Sequence, residues 1–81
     1  MEGYDDFIEM IVKKLVDYPE EVKVTQVDSD KTIILELEVN KDDLGKVIGK
    51  NGRTARAMRT LLTASAAKNG SKKALLEILE D

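Results

Sequence analysis

The sequence contains no cysteine, no histidine and no tryptophan, and only one proline and one phenylalanine. The missing cysteines exclude disulfides and thiolate metal sites. The missing histidines remove the commonest general base and the commonest transition-metal ligand. No apolar run approaches the roughly 20 residues of a membrane helix. The opening Met1-Glu2-Gly3-Tyr4-Asp5-Asp6 is acidic, unlike the basic start of a signal peptide. These absences lead to the expectation of a soluble cytoplasmic protein with no membrane segment, no metal and no cofactor. A length of 81 residues predicts one domain, residues 1–81, with a thin core and marginal stability.

Charge is plentiful but unevenly placed. Residues 1–40 carry 4 basic and 11 acidic side chains, net −7. Residues 41–73 carry 9 basic and 2 acidic ones, net +7, and residues 74–81 add 3 acids. The whole-chain charge of −3 therefore conceals a concentrated basic segment. Such a segment either forms an electrostatic footprint for a polyanion or neutralises the acidic half across the fold.

Periodicity divides the chain into short elements. Tyr4, Phe7, Ile8, Ile11, Val12, Leu15 and Tyr18 form a helical stripe that Pro19 stops. Its aromatic residues read as core rather than as stacking platforms. Val22, Val24 and the stretch to Val27 read as a strand, and Asp28-Ser29-Asp30-Lys31 as a turn. Thr32 to Val39 reads as a second strand, with Ile33, Leu35, Leu37 and Val39 on one face. Asn40 to Asp43 look like helix-start residues, with Asp42 or Asp43 as the cap. A short helix follows from Leu44 to Ile48. Gly45 inside it costs up to about 1 kcal/mol relative to alanine, which suggests that something packs or docks close by.

Arg53 to about Lys68 reads as a longer helix. Ala55, Met58, Leu61, Leu62 and Ala66 form its apolar arc, Arg53, Arg56 and Arg59 share a neighbouring arc, and Asn69-Gly70 ends it. Ser71 to Asp81 fits a helix or a strand. A hairpin alone is a marginal sheet, and a third strand cures that, so this stretch is assigned to a strand. The order is then α-β-β-α-α-β. The right-handed crossover rule makes the second and third strands parallel, with the helices on one face.

Between the two central helices lies Gly49-Lys50-Asn51-Gly52. Two glycines three apart let the backbone turn sharply and pass close to another chain. Lys50 supplies a cation, and Asn51 either contacts a ligand backbone or caps the next helix. The start of that helix favours anions. Gly45 to Lys50 falls one residue short of a P-loop and lacks the Ser or Thr that would hold magnesium. Asp28 and Asp30 lack the glycine and terminal glutamate of a calcium loop. Asp42 and Asp43, adjacent on a helix, do not converge on one catalytic site. Lys72 and Lys73 read as a solvated strand start. No catalytic constellation emerges, and the chain is expected not to be an enzyme.

The unit of helix, Ile48-Gly49-Lys50-Asn51-Gly52 and second helix resembles the KH domain with its GxxG loop. The α-β pair before it matches the type II arrangement. Leu15-Val16-Asp17-Tyr18-Pro19-Glu20 and Gly45 to Arg53 resemble the small bacterial single-KH proteins of the KhpA type. The resemblance implies an α+β fold of type II KH topology, with a three-stranded mixed sheet. It implies single-stranded RNA binding, with the loop clamping the backbone of about four unpaired nucleotides. Carried onto this chain, Gly49, Lys50, Asn51 and Gly52 hold phosphates. Gly45, Lys46 and Ile48 edge a base-binding groove, and Arg53 and Arg56 reach the backbone or stack on a base. The family's members are understood as global, chaperone-like RNA binders associated with cell division and cell shape. They form homodimers or pair with a second KH-domain protein. The last strand is leucine-rich where related proteins favour β-branched residues. Two other readings stand beside this one: a helix-turn-helix duplex-DNA binder, motivated by the arginine arc, and a protein-interaction module.

Overall fold

The computed structural model describes residues 3–70 and 72–80. Helix α1, Tyr4–Leu15, buries Tyr4, Ile8 and Val12. Asp5 and Asp6 lie in its first turn and Lys13 and Lys14 in its last, which complements the helix dipole. It ends three residues earlier than the apolar stripe predicts. Val16 is already extended, with φ −98° and ψ 161°. Leu15 and Tyr18 are consequently about 40% exposed and leave the core stripe.

The cause lies 26 residues downstream. The backbone amides of Asp17 and Tyr18 each donate to the carboxylate of Asp43 at 3.1 Å. Asp43 is fully buried. A carboxylate taken out of water needs such donors, so its requirement sets where the helix stops. Pro19 then opens a single 3₁₀ turn, Pro19–Glu21.

Strands β1, Lys23–Asp28, and β2, Thr32–Glu38, form the expected antiparallel hairpin, from Lys23 opposite Glu38 to Asp28 opposite Ile33. Ser29 closes the turn, donating from both its backbone amide (2.8 Å) and its hydroxyl (3.1 Å) to the carbonyl of Thr32. Lys72 donates to the carbonyl of Ser29 at 2.7 Å. Exposed Lys72 thus also braces the turn, while exposed Lys73 begins β3 as the expected solvated strand start.

The chain then takes a 3₁₀ turn, Lys41–Asp43, followed by helix α2, Leu44–Ile48. Asn40, not Asp42 or Asp43, supplies the cap here, accepting from the amide of Asp42 at 2.8 Å. Helix α3, Arg53–Lys68, is followed by Asn69 and Gly70, the latter at φ +63°. The ambiguous C-terminal stretch is strand β3, Lys73–Ile78. Ser71 and Asp81, the ends of the stretch assigned to that strand, lie outside the described residues.

β3 runs parallel to β2, from Thr32 beside Lys73 to Leu37 beside Ile78, and the sheet order is β1-β2-β3. The result is the α+β, mixed-sheet arrangement of a type II KH fold. The core lies between one sheet face and the helices. Ile33, Leu35, Leu37, Ala74 and Leu76 meet Ile8, Val12, Val47, Met58, Leu62 and Ala66 there. The intervening residues occupy the other face, where Glu36 stands in register with Glu77 and Ile34 with Leu75. That sheet face therefore mixes Glu36, Glu38 and Glu77 with Lys23, Lys73 and apolar residues.

Replacing Asp43 by alanine strands two amides beside the end of α1. Urea unfolding is expected to show a loss of about 3 kcal/mol, with Asp43→Asn losing roughly half, since one oxygen acceptor remains. A loss below about 1 kcal/mol for Asp43→Ala would contradict the clasp.

Candidate nucleic-acid interface

The bend between α2 and α3 is made by backbone conformations that few residues adopt. Gly49 sits at φ +80° and ψ 168°, a region open essentially to glycine alone. A Cβ placed on Gly49 would lie 2.3 Å from Thr54 Oγ1 and 2.7 Å from the Thr54 backbone nitrogen. The first turn of α3 therefore presses against this glycine. Gly52, at φ +74°, has open space where its Cβ would be. Asn51 between them is itself left-handed at φ 56° and ψ 27°, which asparagine tolerates better than most residues. The loop is pinned by Gly49 N–H to Gly45 C=O (2.9 Å) and Gly52 N–H to Gly49 C=O (3.0 Å).

The first position before α3 is Gly52, and no side chain caps that helix. Asn51 therefore does not cap it; the Arg53 amide donates back to the carbonyl of Lys50, and the positive end of a 16-residue helix lies at the bend. Lys50, Asn51 and Arg53 are exposed around it. Arg56 donates weakly to the carbonyl of Asn51 across the bend, at 3.5 Å.

Beside the loop runs a groove of about 460 Å³, lined by Ile48, Gly52, Ala55, Arg56, Arg59, Ile78 and Glu80. It joins the end of α2, the first two turns of α3 and the far end of β3. Ile48, Ala55 and Ile78 give it an apolar floor, and two guanidinium groups border it. Arg59 is tethered on the β3 side, its Nε 3.4 Å from the carbonyl of Leu76.

Of the residues singled out from the sequence, Ile48, Gly52 and Arg56 line this groove. Gly49, Lys50 and Asn51 form the adjoining bend. Arg53 faces a shallow hollow on the outer side of α3 with Arg56, Ala57, Thr60 and Leu61. Gly45 and Lys46 stand apart from the groove lining. The ammonium of Lys46 lies 3.1 Å from the carboxylate of Asp17. That hydrogen bond, followed by the charges of Asp17, Asp43 and Asp42, raises its pKa above the ordinary lysine value. A raised lysine pKa stabilises the fold fully below the unfolded value of 10.5 and is lost only at higher pH, so Lys46 stays charged and paired near neutrality. Apart from its chain neighbours and the backbone of its own helix, no atom lies within 4 Å of where a Cβ on Gly45 would stand. Its helix-breaking cost is therefore not explained by internal packing.

The groove also contains residues that sequence reasoning left out of the site. Arg59 was detectable, since it follows Arg56 by three residues and shares its helix face. Ile78 and Glu80 carried no local signal and reach the groove only through the parallel pairing of β3 with β2. Among the described residues the ion pairs are Lys13 with Glu9 and Lys46 with Asp17. Lys50, Arg53, Arg56 and Arg59 are in neither, so these four cations of the basic segment are not paired with the acidic half. Among those residues there is also no cluster of three acidic side chains able to hold a metal ion, and no helix is long and apolar enough to cross a membrane.

Alanine substitutions separate the glycines. Gly45→Ala has room and removes a helix penalty, so thermal unfolding is expected to show unchanged or up to about 1 kcal/mol greater stability. Gly49→Ala forces a forbidden φ and a clash with Thr54, with an expected loss of about 2 kcal/mol or more. Equal losses at the two positions would contradict this geometry.

Comparison with known proteins agrees with the geometry. The family model described as "KhpA/KhpB, KH domain" matches residues 5–78. The RNA-binding protein KhpA of Aquifex aeolicus is 50% identical over 80 residues, covering 99% of this chain and all of that protein. The protein of the same name from Chlamydia caviae is 54% identical over 76 residues, covering 94% of this chain and 96% of its own. The one from Borreliella burgdorferi is 52% identical over 75 residues, covering 93% and 90%. No solved structure gives a significant match. With a glycine bend, an apolar groove and a parallel third strand all in place, the chain belongs to the KhpA/KhpB family of KH domains.

Proposed function

We propose that this chain is a cytoplasmic single-stranded RNA-binding protein, acting as a chaperone-like binder of low sequence specificity. The observation that carries the reading is the open, cation-flanked bend from Gly49 to Arg53 beside an apolar groove. Phosphates sit at the bend, where the backbone approaches closely and the amides of α3 begin. Lys50 and Arg53 supply charge, and Asn51 supplies a polar contact. One base lies against Ile48, Ala55 and Ile78, bordered by Arg56. Gly45 admits the ligand backbone to α2, which accounts for a glycine that internal packing does not require. Lys46 contributes field from its pair with Asp17 rather than a direct contact. A duplex-DNA reading is weaker, because α2 spans only five residues and offers little of a helix-turn-helix scaffold.

Pairing with a second copy or with another KH-domain protein belongs to the same proposal. The sheet has two free edges, at β1 and β3. The outer side of α3 also exposes Leu61, 48% accessible, between Ala57 and Ala64. Sedimentation equilibrium at rising concentration is expected to show mass above that of one chain, and a single-chain mass throughout would reject self-pairing. Roles in cell division and cell shape, which the resemblance implies, are part of this reading; deletion of the gene in its host is expected to alter cell shape or division, and unchanged cells would reject them.

RNA binding is tested by anisotropy of a labelled unpaired oligomer across salt concentrations. Neutralising about three phosphates gives an expected log–log slope of roughly −2. Lys50→Asp with Asn51→Asp is expected to abolish binding while leaving unfolding nearly unchanged, since both side chains are exposed. Binding that ignores salt, survives the double substitution or is displaced more readily by duplex DNA than by unpaired RNA would overturn the reading.

A further inference from the structure

Among the described residues, the groove contains one carboxylate. Glu80, just past the end of β3, lines it together with Arg56 and Arg59. Among the described residues Glu80 is in neither ion pair, although two guanidinium groups share its groove. Arg59 is instead occupied with the carbonyl of Leu76. Among the described residues the exposed carboxylate is therefore an uncommitted acceptor beside basic and apolar groove residues.

Such a group does two things to a bound strand. It repels phosphate, so the sugar-phosphate backbone is kept to the loop side and the base edge is turned toward β3. It also accepts hydrogen bonds and cannot donate them. Cytosine and adenine present exocyclic amino groups, and guanine presents two adjacent N–H donors that match the two oxygens of a carboxylate. Uracil presents a single N–H flanked by two carbonyl oxygens, and a carboxylate brought against that edge meets repulsion on both sides. Pairing of Glu or Asp with the amino group of cytosine is a known contact of base readout.

We infer that Glu80 is a specificity-determining residue that makes the groove favour amino-bearing bases and discriminate against uracil. The inference rests on the RNA-binding reading and deepens it. A mild preference at one base position sits within low overall sequence specificity.

The test uses the full chain and labelled octamers of A, C or U, with wild-type protein, Glu80→Gln and Glu80→Ala. Comparing ratios between proteins cancels the intrinsic stacking of each oligomer. Wild-type protein is expected to bind the A and C octamers roughly fivefold to tenfold more tightly than U. Glu80→Gln is expected to narrow that gap to about twofold, chiefly by gaining affinity for U, because a carboxamide offers uracil both an acceptor and a donor. Glu80→Ala is expected to narrow it while tightening all three, since a phosphate-repelling charge is gone. Wild-type binding without base preference, or ratios unmoved by either substitution, overturns the assignment of Glu80 and leaves the RNA reading standing. No binding of any octamer to the wild-type protein overturns the RNA reading, and the Glu80 assignment with it.

Discussion

The contact between Gly49 and the first turn of α3 is the constraint on which the rest of the interface depends. A backbone at φ +80° pressed against Thr54 lets α2 and α3 meet at a bend with no side chain between them. That closeness brings Ile48 to the edge of the same groove as Ala55 and Arg56. It also leaves the start of α3 without a side-chain cap, so the positive end of that helix lies at the bend. A side chain at position 49 would move α3 away from α2, and groove, amides and arginine row would shift together. One missing carbon atom thus serves both packing and the ligand site.

The scaffold that holds this bend is built from charge as well as from apolar burial. The carboxylate of Asp43, fully buried at the entrance to α2, grips the two amides just past the end of α1. The cation of Lys46 stands one helical turn along and pairs with Asp17 in the same segment. The junction of α1 with α2 is therefore satisfied polar structure inside a domain whose apolar core is thin. Among the described residues, Lys50, Arg53, Arg56 and Arg59 take part in neither ion pair. The acids Glu36 and Glu77 lie on the sheet face away from the helices. The cations of the loop and α3 can thus offer a polyanion local attraction even though the net charge is negative.

Much of this was legible in the chain. The two-residue alternation of Ile33, Leu35 and Leu37 gave β2 its buried face. The turn residues between β1 and β2 gave the hairpin, and the need for a third strand resolved Lys73–Ile78 despite its leucines. The glycine pair pointed to the loop because only special backbone angles require that spacing. What stayed hidden depends on distant pairing. Asp43 looked like a helix cap, since a capping aspartate and a clasping one are identical in sequence. Tyr18 continued the helical stripe, and nothing local showed that its amide would be claimed from 25 residues away. Glu80 enters the groove only because β3 lies parallel to β2 in one particular register. Lys46 sat inside the motif, yet its partner Asp17 belongs to another element.

The most direct measurement is a backbone amide nuclear magnetic resonance titration of the chain with an unpaired RNA oligomer. The amides of Gly49 to Arg53, with Ala55 and Ile78, are expected to move most, while those of Thr25 to Asp28 at the far sheet edge stay in place. Largest shifts on the open sheet face around Glu36 and Glu77, with the glycine bend unmoved, would contradict the central claim.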